Sequence, residues 1–149
     1  MIKKILVAYD GSDESHSAFL FGLDMAQKFE AELEILSIVR VIEPPEDVET
    51  RDNLERGREH YEKFFKYLRA EANEKGIHIK TEVALGHPAE QIIRWAEKHH
   101  VNIILMGHQT KNTFGKWLLG STPDKVVHHA PCTVTIVKNN HYMRKEVFS

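Results

Sequence analysis

The residues best suited to binding a phosphate group are Gly120-Ser121-Thr122, which precede Pro123. Proline is favoured in the first turn of a helix, because its missing N–H would have no helical partner there. The pattern therefore predicts a helix that begins at this point, with its first N–H groups and nearby hydroxyls available as donors to an anion. Serine and threonine are also common helix caps, so the alternative that Ser121 and Thr122 only cap the helix stays open.

A second polar cluster follows the first apolar run of the chain. Ile5-Leu6-Val7-Ala8 is typical of a buried strand, and Asp10-Gly11-Ser12-Asp13 after it is typical of a turn that starts a helix. A carboxylate beside a phosphate would repel it unless a cation lay between them. Asp10 is therefore predicted to accept hydrogen bonds from sugar hydroxyls or a base. The alternative is a turn residue that binds its own backbone.

Strands and helices alternate along the chain. Apolar runs predict strands at 3–9, 33–39, 77–85, 101–107 and 133–137, and helical spacing predicts helices at 15–29, 51–75, 88–99 and 123–129. The first helix is expected to bury Ala18, Phe21, Gly22, Met25 and Phe29. Pro44-Pro45 predicts a loop over 41–50. In the third strand apolar and polar residues alternate, which favours a place at the sheet edge.

This alternation predicts an α/β fold, in which a five-stranded parallel sheet lies between two layers of helices. In a flavodoxin-like order of 3-2-1-4-5, strands one and four are neighbours where the winding direction reverses, and ligands favour that crevice. Asp10 and Gly107 would then face each other across it. Lys111 and Lys116 follow Gly107 in a polar loop and are candidate phosphate contacts, and His108 is a further candidate polar contact, although a solvated surface position remains open for each.

Composition narrows the classes of function. The chain has 149 residues, which is typical of one domain, and a formal charge of −2, so a nucleic-acid partner is not expected. It has one cysteine and no stretch resembling a signal peptide, and no apolar run approaches the roughly 20 residues of a membrane span. We therefore expect a cytoplasmic protein without a membrane contact.

The motifs of common catalytic sites are missing from the sequence. The ten histidines include two adjacent pairs, His99-His100 and His128-His129, but no spacing typical of a zinc site. Cys132 begins an apolar strand and is predicted to be a buried small hydrophobe. No Walker motif and no nucleophile elbow are present, so we do not expect an enzyme, although slow ATP hydrolysis is compatible with the sequence.

Four segments together carry a resemblance to a known family. They are Ile5 to Ser12, Gly86-His87-Pro88-Ala89, Met106-Gly107 with Leu118 to Ser121, and His129 to Val134. With these segments the chain resembles the universal stress protein family over residues 1–138, which leaves 139–149 as a C-terminal tail. The resemblance implies a flavodoxin-like domain, usually dimeric, that acts in stress tolerance. One branch of the family binds ATP and another does not.

In the ATP-binding branch the phosphate loop reads Gly-x2-Gly-x9-Gly-Ser/Thr. Gly107, Gly120 and Ser121 match three of the four positions, and Thr110 occupies the second glycine position. The resemblance further implies that Asp10 contacts ribose or adenine, that Ala8 and Val39 line the adenine, and that Thr122 offers a backbone N–H to phosphate.

Thr110 is the one departure from this motif, and it bears on the affinity for phosphate. If the loop requires a positive φ there, threonine costs roughly 1–3 kcal/mol, and about 1.4 kcal/mol is tenfold in affinity. If the loop tolerates a negative φ, the hydroxyl adds a phosphate donor instead.

The function predicted from the sequence is that of a cytoplasmic stress-response module that binds ATP or a related adenine nucleotide between strands one and four, with Mg²⁺ on the phosphates. The alternative is a nucleotide-free interaction protein. In either case the strand 133–137 is predicted to pair with a second copy in a homodimer, unless the tail covers this edge.

Overall fold

The computed structural model describes residues 1–41, 47–108, 110–111 and 117–138, with the backbone alone for 47–50, 110–111 and 117–118. Its strands are β1 (Lys4–Ala8), β2 (Glu32–Arg40), β3 (Ile79–Gly86), β4 (Ile103–Gly107), β5 (Thr110–Lys111), β6 (Trp117–Leu118) and β7 (Thr133–Val137). Its helices are α1 (Asp13–Phe29), α2 (Asp47–Glu74), α3 (Pro88–Lys98) and α4 (Ser121–His129). None of the described helices is long and apolar enough to cross a membrane.

Five parallel strands form the main sheet in the order β3-β2-β1-β4-β7, which confirms the predicted winding. β1 pairs with β2 on one side and with β4 on the other, so that Val7 lies between Ile35 and Leu105. The winding reverses at β1, and the carboxyl ends of β1 and β4 are neighbours. β3 lies at one edge, as its alternating pattern predicted, and β7 lies at the other.

Each face of the sheet has its own hydrophobic core. On one face, α1 and α2 cover β1, β2 and β4 with side chains that include Phe19, Leu23, Phe65 and Leu68. On the other face, α3 and α4 cover the same strands through residues such as Ile92 and Val126. Side chains of each strand alternate between the two cores.

The apolar side of α1 differs from the predicted one. Ser12 caps the helix with its hydroxyl, which accepts a hydrogen bond from the Ser15 N–H at 3.1 Å. The fully buried apolar side chains are Ala18, Phe19, Leu23 and Ala26, whereas Phe29 is 47% exposed. The prediction centred the buried face of α1 too close to Phe21 and Phe29. A helix with many apolar residues is compatible with more than one choice of buried face.

Helices α2 and α4 begin earlier than predicted, and one pair of strands was not predicted. α2 begins at Asp47, inside the predicted loop 41–50, of which 42–46 lie outside the described residues. α4 begins at Ser121, two residues before Pro123. The polar segment after Gly107 contains an antiparallel pair, β5 with β6, that the sequence pattern did not predict.

Candidate functional site

A cleft of about 620 Å³ opens at the carboxyl ends of β1, β2 and β4. This volume is typical of a pocket for a small molecule. The sheet side is lined by Ala8, Tyr9, Asp10, Leu36, Ile38, Val39, Arg40, Met106 and Gly107; the helix side is lined by Asn53, Arg56, Gly57, His60, Tyr61, Pro88, Ile92, Thr122 and Pro123. The cleft therefore lies at the reversal point of the sheet, where the winding predicted it.

Five of the eight predicted site residues line this cleft: Ala8, Asp10, Val39, Gly107 and Thr122. Gly120 and Ser121 directly precede Thr122 but are not part of the lining. Thr110 lies in β5, opposite Leu118, and its side chain is outside the described part of the chain, as is that of Lys111. The predicted phosphate contact Lys116 also lies outside the described residues.

Asp10 is a turn residue that also lines the cleft. Its Oδ1 accepts hydrogen bonds from the backbone N–H of Ser12, at 3.0 Å, and from the Ser12 hydroxyl. Asp10 is thus a turn residue, and its carboxylate is hydrogen-bonded to Ser12, the capping residue of α1. It is also an exposed part of the cleft wall, so that it can accept a hydrogen bond from a ligand hydroxyl.

Glycine is required at position 107 for a packing reason that the sequence did not indicate. A Cβ built on this glycine would lie 2.4 Å from the carbonyl carbon and oxygen of Glu14, which belong to the first turn of α1. Backbone atoms cannot turn aside as a side chain can. Close packing between α1 and β4 therefore requires glycine here, whether or not the residue also faces a ligand.

Ser121 and Thr122 do not cap α4, which was the alternative left open by the sequence. The N-cap is Gly120, in extended conformation with φ −64° and ψ 165°, and it offers no side-chain cap. Ser121 and Thr122 are the first helical residues, so the interpretation of their hydroxyls as caps is wrong. The first N–H groups of a helix have no intrahelical acceptors. At the cleft wall these backbone donors are well placed for an anion.

Helix α2 supplies cleft residues that the sequence analysis missed. Asn53, Arg56, Gly57, His60 and Tyr61 recur at intervals of three and four and share one face of the helix. A Cβ on Gly57 would lie 2.1 Å from Val39 Cγ2. The signal that could have revealed this contact is the glycine itself, because glycine inside a helix costs about 1 kcal/mol and calls for a packing reason.

Aromatic side chains support this wall of the cleft. Tyr9 meets Phe64 edge to face with ring centroids 5.9 Å apart, and the His60 ring meets Phe64 at 5.4 Å. Burial raises the pKa of Tyr9 to about 12, with smaller contributions from the carboxylates of Glu71 and Asp10. Burial likewise raises the pKa of Tyr61. Both phenols are therefore neutral donors at physiological pH.

Within the described part of the chain, the remaining reactive side chains do not gather into a metal site. No group of three His, Cys, Asp or Glu residues that could hold a metal ion is found among the described residues. Cys132 is half-buried against the second core, and burial raises the pKa of its thiol, in agreement with a small hydrophobe. His108 is buried, and burial, followed by the charge of Lys138, lowers the pKa of its imidazole.

Comparisons with known proteins agree with this architecture. Residues 1–138 match the model of the universal stress protein family. A universal stress protein of Methanocaldococcus jannaschii is 33% identical over 141 residues, which cover 93% of this chain and 83% of the relative. One of Thermus aquaticus is 34% identical over 140 residues, with 93% and 100% covered.

Solved structures show the same fold. The universal stress protein UspA from Lactobacillus plantarum superposes with a TM-score of 0.79 at 26% identity, over 91% of this chain and 97% of that one. A universal stress protein in complex with cAMP (TM-score 0.68, covering 91% and 96%) and one from Arabidopsis thaliana with AMP bound (0.64, covering 93% and 92%) are each 20% identical and share the fold. The chain belongs to the universal stress protein family.

Proposed function

We propose that the cleft binds ATP or a related adenine nucleotide and that the protein acts as a nucleotide-sensing module in a stress response. The observation that carries the proposal is the meeting of two kinds of group in one cavity of about 620 Å³. Backbone donors at the start of α4 suit phosphates. The carboxylate of Asp10, at the end of the neighbouring β1, suits a ribose hydroxyl.

The orientation follows from these groups. Phosphates lie against the first turn of α4, at Thr122, and the ribose lies at Asp10. The base lies among Ala8, Val39 and the apolar side chains of the cleft. Mg²⁺ is carried by the phosphates themselves, since this ion is commonly bound through substrate phosphates and a few carboxylates rather than by a dedicated protein cage.

The family relationship and the fold support this proposal. Two proteins with this fold are described with cAMP or with AMP bound, so the fold is able to hold an adenine nucleotide. In this chain the argument still depends on its own cleft residues. Because no general base is evident near the phosphate position among the residues that the structure describes, we propose that any hydrolysis is slow, below roughly 1 s⁻¹.

The proposal is tested with the purified protein in two steps. Mass analysis of small molecules released on denaturation should detect an adenine nucleotide, or calorimetry with added MgATP should show binding. Gly120→Val should abolish that binding, because it adds a branched side chain directly before the α4 donors, while the extended backbone at this position still accepts valine. Lys125→Ala, on an exposed part of α4, is the control. Absence of a released nucleotide together with absence of calorimetric heat would refute the proposal.

The position of β7 favours a second role, assembly with another copy of the chain. β7 lies at the sheet edge, and Val134, Thr135 and Ile136 are only partly buried. We propose that this edge pairs in a homodimer. Thr135→Lys should shift the mass in light scattering from dimer to monomer, whereas a monomeric wild type at high concentration would contradict the assembly.

A further inference from the structure

One charged residue of α2, Arg56, lines the cleft together with Asn53 and His60. None of the described α2 residues in the cleft lining is a carboxylate. Glu59 and Glu62 line a separate groove, together with Arg58. Most charged residues of a helix are explained by solvation alone, but a guanidinium that lines a cleft can also bind a ligand there.

A second guanidinium approaches from the sheet. Arg40 is the last residue of β2 and lines the same cleft as Arg56. The residues next to them in sequence, Val39 and Gly57, are in direct contact. Arg40 and Arg56 therefore project from backbone segments that touch each other. Both are exposed, and within the described residues neither forms an ion pair.

This pair lies on the opposite side of the cleft from α4. Arg40 follows β2, whereas Gly107 ends β4, and β1 lies between these two strands. Neighbouring strands are about 4.8 Å apart, so the two ends are separated by about 10 Å. Asp10, which follows β1, lies between them. The cleft thus has two regions that attract an anion, with a carboxylate in the middle.

We infer that Arg40 and Arg56 form a second anion subsite, and that the ligand is an adenine nucleotide with a phosphate monoester on the 2′ or 3′ oxygen of the ribose in addition to its 5′ phosphate. The inference rests on the proposed function. With the 5′ phosphate at α4, the ribose at Asp10 and the base at Ala8 and Val39, a phosphate on the 2′ or 3′ oxygen lies beside the base, on the β2 side of the ribose, where Arg40 and Arg56 line the cleft. The other ribose hydroxyl remains available to Asp10.

An alternative use of these arginines is stacking of a guanidinium on the base. Stacking would favour every adenine nucleotide equally, because all share the same base. A phosphate subsite favours only nucleotides with the additional phosphate. Affinities for matched ligands therefore separate the two.

The experiment is calorimetric titration of the full chain with AMP, ATP, adenosine 2′,5′-bisphosphate and adenosine 3′,5′-bisphosphate. We expect one of the two bisphosphates to bind at least about tenfold more tightly than AMP, since a hydrogen bond to a charged group contributes about 1.5–3 kcal/mol. Arg56→Gln should remove this advantage, so that the affinity for the bisphosphate falls by a much larger factor than the affinity for AMP. Arg58→Gln removes the same charge from the other face of α2 and should change neither affinity.

Two results would overturn the inference while leaving the proposed function intact: equal affinity of wild type for AMP and both bisphosphates, or an equal loss for AMP and bisphosphate in Arg56→Gln. A strong loss of ATP affinity alone in Arg56→Gln would also overturn it, because the 5′ phosphates would then point toward α2. If none of the four ligands binds, the proposed function itself fails. Thermal unfolding of each variant excludes loss of the fold as the cause.

Discussion

Val39 and Gly57 are in such close contact that a Cβ on the glycine would lie 2.1 Å from Val39 Cγ2. This contact brings α2 directly onto the end of β2. It thereby carries the cleft face of the helix, including Arg56 and His60, to the same cavity as Asp10 and the start of α4. The depth at which a helix packs on a strand thus determines which side chains reach the site.

Gly57→Ala should therefore separate α2 from β2. We expect a destabilisation of about 1–2 kcal/mol, because overpacking costs about 1–3 kcal/mol and alanine recovers up to about 1 kcal/mol of helix propensity. Urea unfolding measures the change. In a Val39→Ala background the methyl groups that cause the overlap are gone, so the same substitution should be neutral or stabilising; equal costs in both backgrounds would show that the two residues are not coupled.

The two glycines of the predicted phosphate loop should respond differently to alanine. Gly107→Ala directs a Cβ at the backbone of Glu14, and we expect a loss of about 3 kcal/mol in the free energy of unfolding. Gly120→Ala adds a side chain at an extended N-cap, where the cost should stay within about 1 kcal/mol. Chemical denaturation of both variants compares them, and similar costs would contradict the assignment of Gly107 to packing.

The buried phenol of Tyr9 should make stability fall at high pH. The folded pKa of about 12 lies above the ordinary value of 10, so the neutral phenol is favoured by the fold. This contribution is complete below pH 10 and is lost as the pH rises through 12, by at most about 1.4 kcal/mol per pH unit. Tyr9→Phe should flatten the alkaline limb between pH 10 and 12. Tyr67, which is 73% exposed, provides the control Tyr67→Phe, and an equal effect of both substitutions would contradict the role of burial.

The carboxylate of Glu34 is buried in the sheet and depends on an indole donor. Glu34 is 4% exposed, and its Oε2 accepts a hydrogen bond of 2.7 Å from Trp95 Nε1. Trp95→Phe should cost at least about 2 kcal/mol, since it leaves a buried carboxyl oxygen without this donor. Adding Glu34→Leu should recover part of this loss, because an apolar pair has no buried polar group to satisfy. Glu32→Gln, on an exposed part of the same strand, should have little effect, and a single Trp95→Phe variant as stable as wild type would contradict the argument.

The parallel sheet was predictable from local patterns, and the location of the cleft followed once the flavodoxin-like strand order was assumed. Alternating strands and helices predict a parallel sheet, and the reversal point follows from the order. Asp10 follows an apolar run and Thr122 lies at the predicted start of a helix, so their places near the cleft could be deduced from neighbouring residues.

The contribution of α2 was not predictable in the same way. Arg56 and His60 belong to a densely charged helix, in which helical spacing identifies the buried side but not which charged residues face a cavity. That choice is made by the tertiary contact between Gly57 and Val39, which lie 18 residues apart. The packing role of Gly107 likewise depends on Glu14, far away in sequence, and a loop motif indicated only its possible ligand.

The most direct test of nucleotide binding in this cleft is a titration of isotope-labelled protein with MgATP, followed by amide resonances in two-dimensional NMR spectra. The proposal predicts saturable shifts at Ala8, Asp10, Gly107 and Thr122, with those of the exposed residues of β3, such as Lys80, unchanged. Unchanged spectra at millimolar MgATP, or shifts confined to residues outside the cleft, would contradict it.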